Sequence, residues 1–282
     1  MESVAVVGAG VMGSGIAESV ARAGLDVVLH EPERVALDRS RSRIEESVER
    51  AVRNRKLDGD AAHDLLARIS WTDDLSEVAA RDVVVEAVFE DLKVKGPLFR
   101  KLDELLPETA ILASNTSSIP IAELASFTQH PERVLGLHFF SPVPVMRLVE
   151  VVTALDTSEE VAQRAEAFAR AIGKEPIRTK DRAGFVVNLL LVPYLMSAVR
   201  MLEEGFATRE DIDTGMQLGA GHPMGPLTLC DFVGLDVLLA VCDSLYDEFK
   251  KPEYAAPPLL KRMIAANRLG RKTGRGFYDY DA

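Results

Sequence analysis

The 282-residue sequence is poor in cysteine. Cys230 and Cys242 are too few and too widely spaced for a disulfide framework or a zinc site, and they fit a reducing cytosol. Positive charge is also in deficit. Against 44 Asp and Glu stand 33 Lys and Arg, a formal net charge of −11, which argues against wholesale binding to nucleic acid or to an anionic membrane. A long apolar run is missing as well. The most apolar stretch, 185–199, is shorter than a bilayer span and contains Asn188 and Pro193, so it reads as a buried helix. Neither an internal repeat nor a low-complexity segment is present. The first strand begins by Val4, which leaves no room for a signal peptide, and a cytoplasmic protein is expected.

What the chain does have is a globular composition, 47% hydrophobic and 27% charged, with length for one large or two ordinary domains. Val4–Val7 is a short apolar run of buried-strand type, followed at once by Gly8-Ala-Gly10-Val11-Met12-Gly13. Ser14 to Ala23 then reads as a helix. Strand, glycine turn and helix come in the order of a dinucleotide fold. Gly8 permits the tight turn, Gly10 lets the backbone approach a pyrophosphate, and Gly13 allows close helix packing. The helix start offers free N–H groups to phosphate. A second strand, Asp26 to His30, ends at Glu31, where a carboxylate can accept from the adenine ribose hydroxyls.

Alternation of strand and helix continues through the first half. Helices are expected over 33–56, 60–68, 74–80, 92–106 and 158–173, and strands over 69–72, 82–88, 110–113, 134–140, 148–152 and 176–179. The polar cluster Ser114-Asn115-Thr116-Ser117-Ser118 falls at a strand's carboxyl end, where open α/β sheets place ligands. The 33–56 helix carries Arg39, Arg41, Arg43, Arg50, Arg53, Arg55 and Lys56 in an otherwise acidic chain. Such a run is either a solvated face or a landing site for a phosphorylated substrate. After Gly184 the alternation stops. Helices are expected over 185–202, 208–218, 235–250 and 258–268, with a loop over 219–226. The reading is a Rossmann-type, mostly parallel α/β domain over 1–182, followed by an all-α domain over 183–282.

One stretch organises the rest. Two apolar runs, Val134 to Phe140 and Leu148 to Val152, flank a bend marked by Pro142 and Pro144. His138 closes the first run and Glu150 lies inside the second. A carboxylate among Leu148, Val149, Val151 and Val152 is costly unless something binds it, and an imidazole is a natural partner. On this stretch alone, a core histidine beside a chance glutamate explains the pattern equally well.

The chain resembles the short-chain L-3-hydroxyacyl-CoA dehydrogenases, most of all the bacterial 3-hydroxybutyryl-CoA dehydrogenases. The resemblance covers nearly the whole length. It rests on Gly8 to Gly15, Val85-Glu-Ala-Val-Phe-Glu90, Ser114 to Ser118 and the stretch from His138 to Glu150. It continues in Gly184-Phe-Val-Val-Asn188, Gly221-His-Pro-Met-Gly-Pro226 and Lys272 to Asp279. By this resemblance His138 and Glu150 form the catalytic pair, Ser117 and Asn188 lie near the substrate oxygen, and Glu90, Lys95 and Asn115 surround the nicotinamide ribose. The pattern departs from the family at Ser141, where Asn is usual, and at Leu189, where Arg is frequent; both bear on substrate range.

The resemblance implies reversible hydride transfer between NAD and C3 of a 3-hydroxyacyl-CoA, with 3-hydroxybutyryl-CoA or acetoacetyl-CoA as the expected substrate. His138 acts as general base and Glu150 fixes its tautomer. NAD is expected over NADP because Glu31 would repel a 2′-phosphate. Arg53 and Lys56 are candidates to meet the phosphates of CoA, and the helical domain is expected to form a homodimer. Three other readings stand beside this one. Ser117, His138 and Glu150 could form a hydrolase triad, although no G-x-S-x-G elbow is present. A non-catalytic NAD-binding protein would keep the glycine turn without needing the pair. A related dehydrogenase of a free hydroxy acid or sugar acid would share the cofactor site.

Overall fold

The computed structural model describes residues 3–280. The chain divides into two compact units, Met1–Arg182 and Ala183–Ala282. The first is built on a sheet of eight strands: β1 Val4–Val7, β2 Val27–His30, β3 Ile69–Thr72, β4 Val83–Glu86, β5 Ile111–Ser114, β6 Val134–Phe139, β7 Leu148–Thr153 and β8 Glu175–Lys180. Their order is β3-β2-β1-β4-β5-β6-β7-β8. Pairing is parallel throughout except between β6 and β7, which run antiparallel. β1, β4 and β5 are buried along their whole length, which is why they are continuous apolar runs rather than alternating ones.

Helices cover this sheet: α1 Val11–Arg22, α2 Arg34–Arg53, α3 Gly59–Ala67, α4 Leu92–Leu105, α5 Ile121–Ala125 and α6 Glu159–Ala171. Ile16, Ala17 and Val20 of α1 enter the same core as Val4, Val6, Val83 and Val85. Expected and observed boundaries differ in instructive places. α1 starts at Val11, three residues before the expected Ser14, because Gly10 is extended and serves as N-cap; Gly13 and Gly15 weaken the local helix signal there. The expected 74–80 helix is only a short 3₁₀ turn, Leu75–Val78, started by the Asp74 carboxylate. α5 went unanticipated. Its first N–H groups, on Ile121 and Ala122, donate to the Asp181 carboxylate at 2.9 and 2.7 Å, a partner some sixty positions away. α6 is capped by Ser158, whose hydroxyl accepts from Val161 N–H, and the chain leaves it through Gly173 at φ +75°.

The second unit contains α7 Val187–Glu203, α8 Arg209–Thr214, α9 Pro226–Val233, α10 Leu235–Phe249 and α11 Pro258–Ala265. The expected 208–218 helix changes to a π-helical turn at Gly215–Gly219. α9 was not anticipated, although Pro226 occupies its first position. Its first N–H groups, on Leu227 and Thr228, donate to Asp213 at 2.8 and 3.0 Å. Leu195, Met196 and Val199 of α7 pack with Leu227, Cys230, Leu238 and Leu245 in this unit's own core. The carboxylate of Asp231 fastens the C-terminal segment, accepting from Phe277 N–H, Tyr278 N–H and Tyr280 O–H at 2.9 Å each. Among the described residues no helix is long and apolar enough to cross a membrane.

Candidate active site

The strand order reverses between β1 and β4, so a crevice opens at their carboxyl ends. Gly8 follows β1 with φ +110°, and a Cβ there would lie 2.5 Å from the Ala87 carbonyl oxygen. Only glycine fits. A Cβ on Gly10, by contrast, would meet nothing within 4 Å, so the backbone at this turn faces open space. The first N–H groups of α1, from Val11 onward, have no intrahelical partner. The crevice is about 560 Å³, bounded by Gly10, Glu31, Pro32, Ala36, Val88 and Leu98. The Glu31 carboxylate is held by Ala9 N–H at 3.1 Å. Open glycine turn, helix start, fixed carboxylate and apolar slot match the pyrophosphate, ribose diol and adenine of NAD. The residues fit the group.

Toward β5 the crevice floor is polar and buried. Glu86 ends β4 and is 0% exposed. It accepts from Ser114 Oγ at 2.6 Å, Val88 N–H at 2.6 Å and Lys95 Nζ at 3.0 Å. Lys95, itself 1% exposed, reaches Glu90 at 2.8 Å. The other oxygen of Glu90 collects Thr116 Oγ1, Ser117 N–H, Ser118 N–H and Ser118 Oγ, at 2.5 to 3.1 Å. Burial pushes the Glu86 carboxyl above its ordinary range despite the Lys95 charge. Glu90 is also pushed up by burial, but the Lys95 ammonium and these hydrogen bonds outweigh it and leave it below that range. The loop 114–118 is therefore wired to one ion cluster. Asn115 ties it to β6 as well, its Oδ1 accepting from Phe139 N–H at 3.0 Å.

His138 and Glu150 are register partners on β6 and β7. Opposed residues on adjacent strands present their side chains to the same face. His138 Nδ1 lies 2.6 Å from Glu150 Oε2, with both residues buried. A carboxylate can only accept, so Nδ1 carries the hydrogen, and in the neutral ring Nε2 carries the lone pair. Phe140 packs edge-on against the imidazole, ring centroids 4.6 Å apart.

The other candidates are placed as follows. Val11 and Met12 form the first turn of α1. Ser117 sits in the loop organised by Glu90, and Ser141 begins the bend after β6. Asn188 and Leu189 belong to the first turn of α7. Arg53 ends α2, and Lys56 is exposed just beyond it. Arg53 rims a hollow of about 600 Å³ between α2 and α3, shared with Glu49 and His63. The basic run does not act as one patch. Arg41 stacks on Trp71 at 4.7 Å, and Arg43 donates to Ser14 Oγ at 2.9 Å beside the glycine turn. Glu86 was not singled out from the sequence, and Ser114 and Arg43 stood out only as members of the 114–118 cluster and of the basic run. Glu86 carried a signal of the same kind as Glu150, a lone carboxylate in an apolar strand.

With this geometry in place, comparison with known proteins is direct. Residues 3–182 match the NAD-binding domain of 3-hydroxyacyl-CoA dehydrogenase, and residues 184–280 match that enzyme's C-terminal domain. A 3-hydroxybutyryl-CoA dehydrogenase of Mycobacterium tuberculosis is 52% identical, with 99% of each chain covered. The human mitochondrial hydroxyacyl-coenzyme A dehydrogenase is 44% identical, covering 99% of this chain and 91% of its own. The crystal structure of the (S)-3-hydroxybutyryl-CoA dehydrogenase PaaH1 from Ralstonia eutropha superposes with a TM-score of 0.95 at 42% identity, covering both chains fully. Fold, cleft and relatives define an NAD-dependent oxidoreductase. Within that class, the chain belongs to the 3-hydroxyacyl-CoA dehydrogenase family.

Proposed function

We propose that this enzyme interconverts 3-hydroxybutyryl-CoA and acetoacetyl-CoA in the cytoplasm, as a homodimer. The observation that carries the reading is the 2.6 Å contact between His138 and Glu150 beside the dinucleotide crevice. NAD, when bound, supplies the hydride acceptor. The chain's own groups handle the proton and the geometry. His138 takes the substrate hydroxyl proton on Nε2 and returns it in the reverse direction. Glu150 holds the Nδ1–H tautomer and balances the imidazolium that forms. Ser117 keeps the substrate oxygen in place from the loop that Glu90 anchors. Family membership supports the same assignment for Asn188, and a cofactor role for the first unit with substrate and dimerisation roles for the second.

In the cofactor crevice, Gly10, Val11, Met12 and Gly13 would hold the pyrophosphate and Glu31 the ribose diol, against which a 2′-phosphate would be repelled. Lys95 is buried between Glu86 and Glu90, so its influence on the nicotinamide ribose is exerted as charge and through Glu90. The decisive assay follows NADH oxidation with acetoacetyl-CoA and, separately, with free acetoacetate. Turnover of the thioester is expected to exceed that of the free acid by orders of magnitude. Equal turnover of the two would replace this reading with that of a free hydroxy acid dehydrogenase.

A further inference from the structure

Lys174, between α6 and β8, is only 7% exposed. A buried ammonium is costly unless its donors are matched. Its donors go not to a carboxylate but to two main-chain carbonyls, those of Val143 and, at 3.0 Å, Met146. Both carbonyls belong to the bend that joins β6 to β7, between His138 and Glu150. A main-chain bond from Glu175 N–H to Arg147 O, at 2.7 Å, fastens the end of the same bend. Its middle is pressed against α1. Val143 is 3% exposed, and a Cβ added to Gly15, in the second turn of α1, would come within 2.9 Å of the Val143 Cβ.

The bend therefore lies between two fixed points. One is the second turn of α1, next to the helix start that would hold the pyrophosphate, and the other is His138, which the reactive carbon of the cofactor would face. The adenosine half would occupy the crevice bounded by Glu31 and Pro32. We infer that Lys174 is a positioning residue for the nicotinamide half of the cofactor, acting by pinning the Val143 and Met146 carbonyls and with them the wall along which that half lies. The His138–Glu150 pair does not depend on this pin, because the β6–β7 ladder sets its register directly.

Two ligands separate this role from general support of the fold. ADP-ribose carries the adenosine and the pyrophosphate but no nicotinamide; NADH carries all three. Lys174→Met keeps the unbranched stem of the side chain and removes the ammonium. The expected result is an NADH Kd raised about tenfold, the scale of one charge-assisted hydrogen bond, with ADP-ribose affinity unchanged to within about twofold. Lys174→Gln, which keeps an N–H donor for one carbonyl but removes the charge, should weaken NADH selectively by a smaller factor, and it keeps the test intact if Lys174→Met does not fold. The inference is overturned if the variants bind NADH like the wild type whatever their melting temperature, or if NADH and ADP-ribose weaken equally. Because the inference rests on the cofactor crevice, the wild-type titration with ADP-ribose reads that crevice on its own. Failure to bind there would overturn the crevice and the inference together.

Discussion

Glu150 lies among Leu148, Val149, Val151 and Val152, where an unpaired carboxylate would be strongly destabilising. Its imidazole partner resolves that cost and at the same time leaves Nε2 as the base. Glu150→Gln is close to isosteric, so fold and NADH binding should persist. The amide no longer selects the Nδ1–H tautomer and provides no counter-charge to the imidazolium. A fall in kcat of ~10²- to 10⁴-fold is expected, the range of general acid–base catalysis, and His138→Ala should fall in the same range. The losses should not add in the double variant, because both changes disable one unit. A merely structural pair would show the reverse, a lower melting temperature with near-normal turnover in the surviving protein. Measuring both quantities on the same samples decides between them.

Glu90 makes a prediction of a different kind, about stability and pH. Burial raises its pKa, but the Lys95 charge and the donors from Thr116 and Ser117 more than reverse this, so its folded pKa lies below the ordinary 4.5. In that situation the unfolded chain binds the proton more readily than the folded one. The stabilisation is present above the ordinary value and is lost as pH falls through the lowered folded value. The difference in melting temperature between wild type and Glu90→Gln should therefore be full near neutrality and shrink as pH drops below 4.5. A difference constant across that range would mean the carboxylate charge is not what anchors the 114–118 loop.

At the scale of elements, α2 separates into two ends with different work. Arg41 and Arg43 are engaged with Trp71 and Ser14, whereas Arg53 and Lys56 are exposed at the far end. CoA carries a 3′-phosphate and a pyrophosphate into a protein that is acidic overall, so local cations are needed to receive it. Arg53→Ala and Lys56→Ala, singly and together, should raise the KM for acetoacetyl-CoA without changing that for NADH. The effect should shrink in high salt, since exposed charges are screened. An unchanged KM across the set would make this end a solvated face only. Much of the sheet was legible in advance, because strands buried on both faces are written as apolar runs, as in Val4–Val7 and Val83–Val85. The His138–Glu150 pair was legible only in part: a lone carboxylate in such a run asks for a partner, but the run alone fitted a chance core histidine equally well, and the register is set by the antiparallel ladder. α5 and α9 were not legible. Both are short, and both are started by a carboxylate far along the chain, Asp181 and Asp213, so no local periodicity announces them. Lys174 was hidden likewise, since its partners are backbone carbonyls and backbone carbonyls have no letter in a sequence.

For the whole molecule, the question is what covers the helical unit. About 100 residues give a small core with a high ratio of surface to volume. α7 contributes Val192, Leu195, Met196 and Val199 to that core, yet Leu190 on the same helix is 71% exposed. Phe206 and Leu218 are exposed as well, at 77% and 83%. The same unit has an apolar groove of about 410 Å³, lined in part by Tyr194, Ala198, Met201 and Met216. Exposed apolar surface of this kind calls for a partner, and a second copy of the same face, related by a twofold axis, is the simplest one. Light scattering at micromolar concentration should give about twice the 30.8 kDa chain mass. Phe206→Glu places a charge that each subunit would have to desolvate on association, and it should shift the distribution toward monomer. NADH binding by that variant should be unaffected, because the glycine turn, Glu31 and the 114–118 loop all lie in the first unit. A wild-type protein that stays monomeric at micromolar concentration would leave this face without a self-partner and would refute the dimer.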